Sequence, residues 1–281
     1  MQGGAIIGLS DWLKTPAGRY LLAWESQQIE LVVADLFGFH ALQLGLPQLE
    51  GLAANRMPHR WLAVDRIGPA GPPATLLGDD PRATAEPGAA ISLQCEFDAL
   101  PFDSQSLDLV LLPHALELAR DPHLALGEVE RVLRPEGKVV ILGFNPTSLW
   151  GLRQRGGRML NRLGRTHADG LYLPTSGEFI AYRRLRDWLC LLSFEVEAGR
   201  FGCYRPALRS EQWLTRFGWM ESLGDRWWPV FGAVYMLVAV KRVRGMRLVG
   251  LARSQRTQNN TAPAVAVHQQ GDPVARHASR D

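Results

Sequence analysis

The chain has 281 residues, of which 46% are hydrophobic and 21% are charged, a balance typical of a globular protein. Its formal net charge is +3, but the stretch 244–281 holds six arginines against two aspartates, so the rest of the chain is close to neutral. This excludes a basic surface spread over the whole chain, which nucleic-acid binding favours. The three cysteines (95, 190 and 203) are widely separated, which excludes a disulfide framework and a zinc site and indicates a reducing compartment.

The sequence predicts a cytoplasmic protein with one folded domain. The first residues have neither the basic start nor the long apolar run of a signal peptide, and the longest apolar run, 230–240, is too short to span a bilayer. From 243 onward aromatic residues are absent while Arg, Gln, Asn, Ala and Pro dominate. We therefore predict a folded domain over 1–242 and a disordered tail over 243–281.

The predicted elements begin with a helix over 11–37, which starts near Thr15-Pro16 and carries an apolar stripe. Strands are predicted at Ala41–Gly45, Arg60–Asp65, Ile91–Phe97, Ser106–Leu112, Lys138–Phe144, Phe194–Ala198 and Ala233–Val240. A Pro/Gly-rich loop occupies 68–88, and later helices are predicted at Pro122–Leu133 and Phe179–Leu192. Unbroken apolar strands that alternate with helices need cover on both faces, so we predict an α/β fold with a mostly parallel central sheet and helices on both faces.

The stretch Leu100–Pro146 is the most specific part of the sequence. It contains Leu100-Pro101-Phe102, Leu107-Asp108, His114–Glu117, Asp121-Pro122 and Glu128–Gly137. In this combination the chain resembles the class I S-adenosylmethionine (SAM)-dependent methyltransferases of the type 11-like group, and Gly143–Arg153 resembles one bacterial branch of that group. The resemblance implies a Rossmann-like fold, SAM as the cofactor, and a site at the carboxyl ends of the strands.

The resemblance also implies a set of cofactor contacts. Asp65, at the end of the second strand, would accept hydrogen bonds from the ribose hydroxyls, with a loop-capping aspartate as the alternative. Glu96 would accept a hydrogen bond from the adenine amino group and Phe97 would pack on the ring. The alternatives are that Glu96 is only solvent-exposed and that Phe97 belongs to the core. Pro113 and His114 would lie near the sulfonium and the incoming substrate.

The loop after the first strand departs from the family pattern, which has an acidic residue followed by G-x-G-x-G. Here Gln43 takes the acidic position, Gly45 is the one glycine kept, and Pro47 and Leu49 replace the other two. Glycine lets the backbone turn tightly and approach a ligand closely, and Pro47 also removes a backbone donor. Gln43 can still accept a hydrogen bond from the ammonium group of the cofactor. The loop is compatible with SAM binding and also with a fold that has lost its cofactor.

Two side chains are candidates for catalysis or substrate binding. Methyl transfer from a sulfonium depends on in-line positioning and needs a base only where the nucleophile must lose a proton. His114 is the candidate base because imidazole titrates near neutrality, and a merely polar strand end is the alternative. Asn145 would hold the substrate at the end of the fifth strand, although Asn145-Pro146 is also an ordinary turn signal. We expect no metal ion.

Two further segments are predicted to cover the site. A basic lid over 150–175 carries arginines at 153, 155, 158, 162 and 165. It is either a solvated surface or a flap that closes over an anionic substrate or rests on an anionic surface, and Gly156-Gly157 weakens a continuous helix there. The insertion 205–230 holds four tryptophans, at 213, 219, 227 and 228, which either fill the core or cover the substrate pocket.

The sequence therefore predicts a SAM-dependent methyltransferase that acts on a small or medium-sized acceptor. The alternative is a catalytically inactive methyltransferase-like fold that serves as a binding or regulatory module, which the altered loop 43–49 favours. An NAD(P)-dependent oxidoreductase would need G-x-G-x-x-G after the first strand, and that motif is absent.

Overall fold

A computed structural model describes residues 8–65, 93–162, 172–174, 177–208 and 210–243. The strands are β1 (His40–Leu44), β2 (His59–Asp65), β3 (Leu93–Cys95), β4 (Leu107–Pro113), β5 (Leu133–Phe144), β6 (Phe194–Gly202) and β7 (Val234–Lys241). The helices are α1 (Leu9–Leu13), α2 (Pro16–Val33), α3 (Ala115–Leu118), α4 (Pro122–Val132), α5 (Leu149–Arg162), α6 (Tyr182–Leu191), α7 (Glu211–Arg216) and α8 (Trp219–Trp227), with a 3₁₀ turn at Pro229–Phe231. The predicted loop 68–88, most of the lid beyond 162 and the tail from 244 lie outside the described residues.

The strands form a seven-stranded sheet in the order β3-β2-β1-β4-β5-β7-β6. The pairs β2–β3, β1–β2, β1–β4 and β4–β5 are parallel, whereas β7 runs antiparallel to both β5 and β6. The predicted α/β fold with a mostly parallel central sheet is confirmed. β7 completes the sheet as a reversed strand between two strands that point the same way.

Both faces of the sheet are buried. Alternate side chains of β4 belong to different cores, because Leu109 and Leu111 pack on one face while Val110 and Leu112 pack on the other. The first core is covered by residues of α1, α2, α5 and α7, and the second by residues of α3, α4 and α6. This double burial explains why the strands read as unbroken apolar runs in the sequence.

The predicted helix over 11–37 is two helices in the structure. Thr15 separates α1 from α2 because its backbone is extended, with φ −70° and ψ 161°, and its side chain accepts a hydrogen bond from Gly18 N. α2 ends at Val33, whose carbonyl accepts a hydrogen bond from the Asn55 side chain at 2.8 Å. The predicted start of the long helix is confirmed, and its predicted end is too late.

The described part of the basic lid forms α5, a continuous helix that includes Gly156-Gly157. The helix is continuous although these glycines were expected to weaken it, and contacts with a neighbouring segment anchor it. The Gln154 side chain is buried and accepts hydrogen bonds from Tyr172 N and Leu173 N at 2.9 and 3.0 Å. Trp150 is also buried, at 1% exposure.

The four tryptophans of the predicted insertion 205–230 lie on the surface. Their exposed fractions are 50% (Trp213), 59% (Trp219), 67% (Trp227) and 56% (Trp228). The interpretation that they fill the core is therefore wrong. The described residues up to Val243 form one compact unit, and none of the helices described is long and apolar enough to cross a bilayer.

Candidate active site

The carboxyl ends of the parallel strands bring the predicted cofactor residues to one edge of the sheet. Gly45 follows β1, Asp65 ends β2 and Pro113 ends β4. Glu96 follows β3, and Asp65 lies opposite Cys95 in the β2–β3 register, so Asp65 and Glu96 belong to adjoining strand ends. Asp65 is half-buried and Glu96 is exposed. Their contacts with SAM stay predictions.

Phe97 and Gly45 lie side by side at this edge. Gly45 has a φ of +78°, a left-handed conformation that glycine adopts without a steric penalty. A Cβ atom at Gly45 would lie 3.7 Å from the Phe97 ring and 3.7 Å from Ala115 Cβ. Phe97 is buried and packs in the second core. Phe97 therefore belongs to the core and also borders the glycine at which the cofactor loop begins.

Gln43 holds the loop after β1 in place. Its Nε2 lies 2.7 Å from Leu49 O, 3.1 Å from Leu46 O and 3.3 Å from Gly45 O, and its Oε1 accepts a hydrogen bond from Gly51 N at 3.1 Å. The side chain is buried. A contact with the cofactor ammonium would have to use the second lone pair of Oε1, and that contact stays a prediction.

The two residues that replace the loop glycines have different surroundings. Leu49 is 3% exposed and packs in the first core with Leu111 and Leu46. Pro47 is half-buried. Leu49 therefore contributes to the fold itself, whereas Pro47 can be exchanged with less effect on the core.

His114 lies between two carboxylates next to the end of β4. Its Nδ1 is 2.8 Å from Glu117 Oε2 and its Nε2 is 2.8 Å from Glu25 Oε1. Glu117 Oε1 also accepts a hydrogen bond from Phe144 N at 2.6 Å, and the Phe144 ring centroid is 4.4 Å from the imidazole. His114 has no exposed surface. The Glu25–His114–Glu117 cluster therefore ties α2, β4 and β5 together.

His114 and Glu117 retain their protons more strongly in this cluster than an imidazole and a carboxyl group do in water. Burial by itself lowers the pKa of His114, but the carboxylates of Glu25 and Glu117 outweigh burial and raise that pKa to about 10. Burial raises the pKa of Glu117, although His114 and the Phe144 amide oppose the shift. His114 is therefore an imidazolium at neutral pH with both nitrogens bonded. Its predicted role as a base would require the cluster to open first, and it stays a prediction.

Asn145 uses its side chain to fix the chain around the end of β5. Its Nδ2 donates to Val230 O at 2.7 Å and to Gly232 O at 2.9 Å. Its Oδ1 accepts hydrogen bonds from Thr147 N at 3.1 Å and from Thr147 Oγ1 at 2.7 Å. The turn signal at Asn145-Pro146 is thereby explained. A contact of Asn145 with substrate would compete with these four bonds and stays a prediction.

The sequence analysis missed the buried carboxylate of Glu25. This residue stands four positions after Leu21 and four before Ile29, in the middle of the apolar stripe of α2, and all three are fully buried. A carboxylate at such a position must have a partner in the core. That interruption of the apolar stripe was the available signal, but no local pattern indicates that His114 is the partner of Glu25.

The described residues fit the adenosine half of SAM. Two carboxylates at adjoining strand ends, Asp65 and Glu96, supply the acceptors that ribose hydroxyls and an adenine amino group need. The Phe97 ring provides an apolar surface beside Gly45. The amino-acid half of SAM would meet the loop after β1, in which the Gln43 amide is already bonded to backbone groups.

Comparisons with known proteins agree with this geometry. The family model described as "Methyltransferase domain" matches residues 76–141. The uncharacterized protein YafS of Escherichia coli (strain K12) is 28% identical over 251 residues, which are 89% of this chain and 88% of that protein. The ubiquinone/menaquinone biosynthesis C-methyltransferase UbiE of Hahella chejuensis (strain KCTC 2396) is 40% identical over 57 residues, which are 20% of this chain and 23% of that protein. A SAM-dependent methyltransferase from Thermotoga maritima has a TM-score of 0.53 at 15% identity, covering 80% of this chain and 92% of that chain.

The order and directions of the strands, together with the matched segment, support a class I SAM-dependent methyltransferase, and the chain has the fold of that class. The matched segment overlaps Leu100–Pro146, where the resemblance was found in the sequence.

Proposed function

We propose that this protein is a SAM-dependent methyltransferase that acts on a small or medium-sized acceptor. The observation that carries the proposal is the pair of carboxylates at the ends of β2 and β3, beside Gly45 and the Phe97 ring. When bound, SAM supplies an electrophilic methyl group on its sulfonium. Asp65 would accept hydrogen bonds from the ribose, Glu96 would accept one from the adenine amino group, and Phe97 would pack against the adenine.

His114 is best described as a positioning residue in this proposal. Because its cluster joins α2 to the ends of β4 and β5, it holds Pro113 and the start of α3 at the edge where the sulfonium is expected. In-line methyl transfer depends on such positioning more than on proton transfer. The buried imidazolium also has no nitrogen that a substrate can reach without displacing a carboxylate.

Calorimetric titration of the full chain with SAM and S-adenosylhomocysteine tests the proposal. We expect binding that weakens at least tenfold in Asp65→Ala, because a lost hydrogen bond to a charged group costs about 1.5–3 kcal/mol and about 1.4 kcal/mol is tenfold in affinity. Asp187→Ala, an exposed aspartate on α6, is the matched control and should bind as the wild type does. Absence of binding at millimolar cofactor would contradict the proposal.

The second candidate is a methyltransferase-like fold that has lost its cofactor and acts as a binding or regulatory module. The observation that favours it is the bonding of Gln43, whose amide is used within the loop. Pro47→Gly separates the two candidates without touching the core, unlike a change at Leu49. A variant that gains SAM binding that the native chain lacks would identify the site as vestigial, whereas binding by both would support the enzyme.

A further inference from the structure

Helix α5 exposes an apolar stripe on the side away from its buried anchors. The exposed fractions are 50% for Leu149, 60% for Leu152, 66% for Met159 and 41% for Leu160. At 100° per residue these four side chains fall within about a third of the helix circumference. Trp150 and Gln154, which are buried, lie on the opposite side. One side of α5 is therefore anchored in the fold, and the opposite, apolar side is exposed.

Arginines border this stripe. α5 contains four arginines and no acidic residue, and Arg153 and Arg155 flank the apolar side chains on its two edges by the same helical spacing. Within the described part of the chain, no carboxylate forms an ion pair with Arg153, Arg155 or Arg158. A helix of this kind, with an apolar side between cationic residues, suits the boundary between water and an anionic lipid layer.

A second exposed apolar surface lies on α8 and the 3₁₀ turn that follows it. Trp219, Leu223 and Trp227 are spaced four residues apart, so they line one side of α8, and their exposed fractions are 59%, 39% and 67%. Val230 and Phe231, in the 3₁₀ turn, are exposed by 54% and 53%. Tryptophan is enriched where proteins meet the interface of a membrane, because its ring is apolar and its N–H is polar.

Hydrogen bonds link the segments of the chain that carry the two apolar surfaces. Trp150 Nε1, in the first turn of α5, donates to Arg205 O at 2.7 Å, just before α7 and α8. Asn145 Nδ2, just before α5, donates to Val230 O at 2.7 Å. The exposed sides of α5 and of the tryptophan-rich segment therefore start from neighbouring points of the fold.

We propose that α5 and the segment 213–231 form a docking surface for an anionic lipid bilayer, on which the protein rests without inserting a spanning helix. Arg155 would contact lipid phosphates, whereas Arg153 donates to Ala207 O and lies over the Tyr172 ring. The leucine, methionine, tryptophan and phenylalanine side chains would enter the headgroup region. This inference concerns a surface and does not depend on SAM binding.

Charge and side-chain type favour a bilayer over other occupants. The stretch 244–281 of this chain carries six arginines against two aspartates, so it would meet the arginines of α5 with like charge. A second copy in a two-fold contact would also bring two arginine-bordered surfaces of the same kind together. The bases of single-stranded nucleic acid stack on aromatic rings, whereas the exposed leucine and methionine side chains of α5 offer neither stacking nor phosphate contacts.

Co-sedimentation with vesicles tests the proposal. We expect the full chain to bind phosphatidylcholine vesicles that contain about 30 mol% phosphatidylglycerol at least tenfold more tightly than pure phosphatidylcholine vesicles, and to lose most of this preference in about 0.5 M salt. The tryptophan fluorescence of the unaltered chain should shift to the blue on adding the anionic vesicles, since exposed indoles would leave water. This readout needs no variant.

Matched variants locate the surface. Leu152→Ser with Met159→Ser should reduce vesicle binding at least fivefold, and Leu191→Ser should not, although Leu191 is 83% exposed. Arg155→Glu should abolish the preference for anionic vesicles. Arg183→Glu, on α6 at the other face of the sheet, should retain it. Because all these side chains are exposed, we expect the variants to keep the circular-dichroism spectrum of the wild type.

Three outcomes would overturn the proposal. One is failure of the native chain to bind anionic vesicles. Another is equal loss of binding in the α5 variants and the α6 controls. The third is a dimer, or tight binding of an RNA oligonucleotide, that depends on Leu152 and Met159 while vesicle binding is absent. SAM titration of the same variants is independent, so failure of the lipid proposal leaves the methyltransferase proposal standing.

Discussion

Replacement of the buried imidazolium tests the electrostatic account of the Glu25–His114–Glu117 cluster. His114 has a left-handed backbone with φ +54°, and asparagine tolerates that conformation better than most residues. His114→Asn therefore removes the cation with little backbone strain. The two carboxylates are then left in a fully enclosed space, with Glu25 Oε2 already without a hydrogen-bond partner among the described residues.

The expected cost is large for a single substitution. Removing one partner of a buried ion pair costs about 3–5 kcal/mol because the remaining charge stays out of water. For a domain of this size, about 1 kcal/mol corresponds to roughly 2–4 °C in Tm, so we expect Tm to fall by roughly 10 °C. His59→Asn, an exposed histidine at the start of β2, should change the free energy of unfolding by less than about 0.5 kcal/mol.

A double-mutant cycle measures the interaction directly. The double variant Glu25→Gln with His114→Asn removes one carboxylate together with the cation. Its free energy of unfolding should therefore be about 1–3 kcal/mol higher than the sum of the two single effects predicts. Urea unfolding, followed by circular dichroism at pH 7, gives all four free energies. If His114→Asn costs less than about 1 kcal/mol, or if the double variant shows no recovery, the cluster is not a stabilising ion network and the reasoning is wrong.

Three further predictions concern pH, the loop and the glycines. The pKa of His114 is raised from 6.5 to about 10, so its contribution to stability is complete below pH 6.5 and is lost as pH rises through 10. Between pH 6.5 and 10, the free energy of unfolding from urea titrations should fall with pH by up to about 1.4 kcal/mol per pH unit more in the wild type than in His114→Asn. Parallel plots of that free energy against pH for the two proteins would refute this. Gln43→Ala should lower the free energy of unfolding by about 2–3 kcal/mol because it leaves buried loop groups unbonded, whereas Gln48→Ala, at an exposed position, should leave it unchanged. Equal losses for the two variants in urea unfolding would contradict the role of Gln43 in holding the loop. A Cβ at Gly202 would clash with the Trp24 indole of α2, so Gly202→Ala should lower the free energy of unfolding by about 1–3 kcal/mol. Gly127→Ala, in open space within α4, should raise it by up to about 1 kcal/mol, and thermal unfolding measures both changes.

The sheet was predictable because its strands are buried on both sides. In β4, successive side chains belong to alternate cores, so the sequence shows an unbroken apolar run that few other structures require. The expected position of the site, at the ends of the parallel strands, came from the family resemblance and agrees with the general rule for such sheets. The family resemblance then supplied the candidate residues, including Asp65 and Glu96.

The side-chain network of the site was not predictable in the same way. Gln43 and Asn145 were identified as polar residues near strand ends, but their partners include backbone groups as far as eight and eighty-seven residues away along the chain. One of the two carboxylate partners of His114, Glu25, lies on α2, eighty-nine residues earlier. Such pairings depend on how the helices and strands pack together, which local sequence patterns do not predict. The interpretation that the four tryptophans of 213–228 fill the core was wrong for a related reason. Composition alone favours burial of tryptophan, and exposure depends on how the segment packs.

Gln43 also limits which substitutions this chain can accept next. A glutamate there would direct carboxylate oxygens at the carbonyls of Leu46 and Leu49, where amide hydrogens now stand, and lone pairs would oppose lone pairs in a buried space. Introducing the acidic residue of the methyltransferase pattern at this position is therefore unfavourable while the loop keeps its present path. An engineer who wishes to place a carboxylate at this strand end must begin by changing the backbone of the loop.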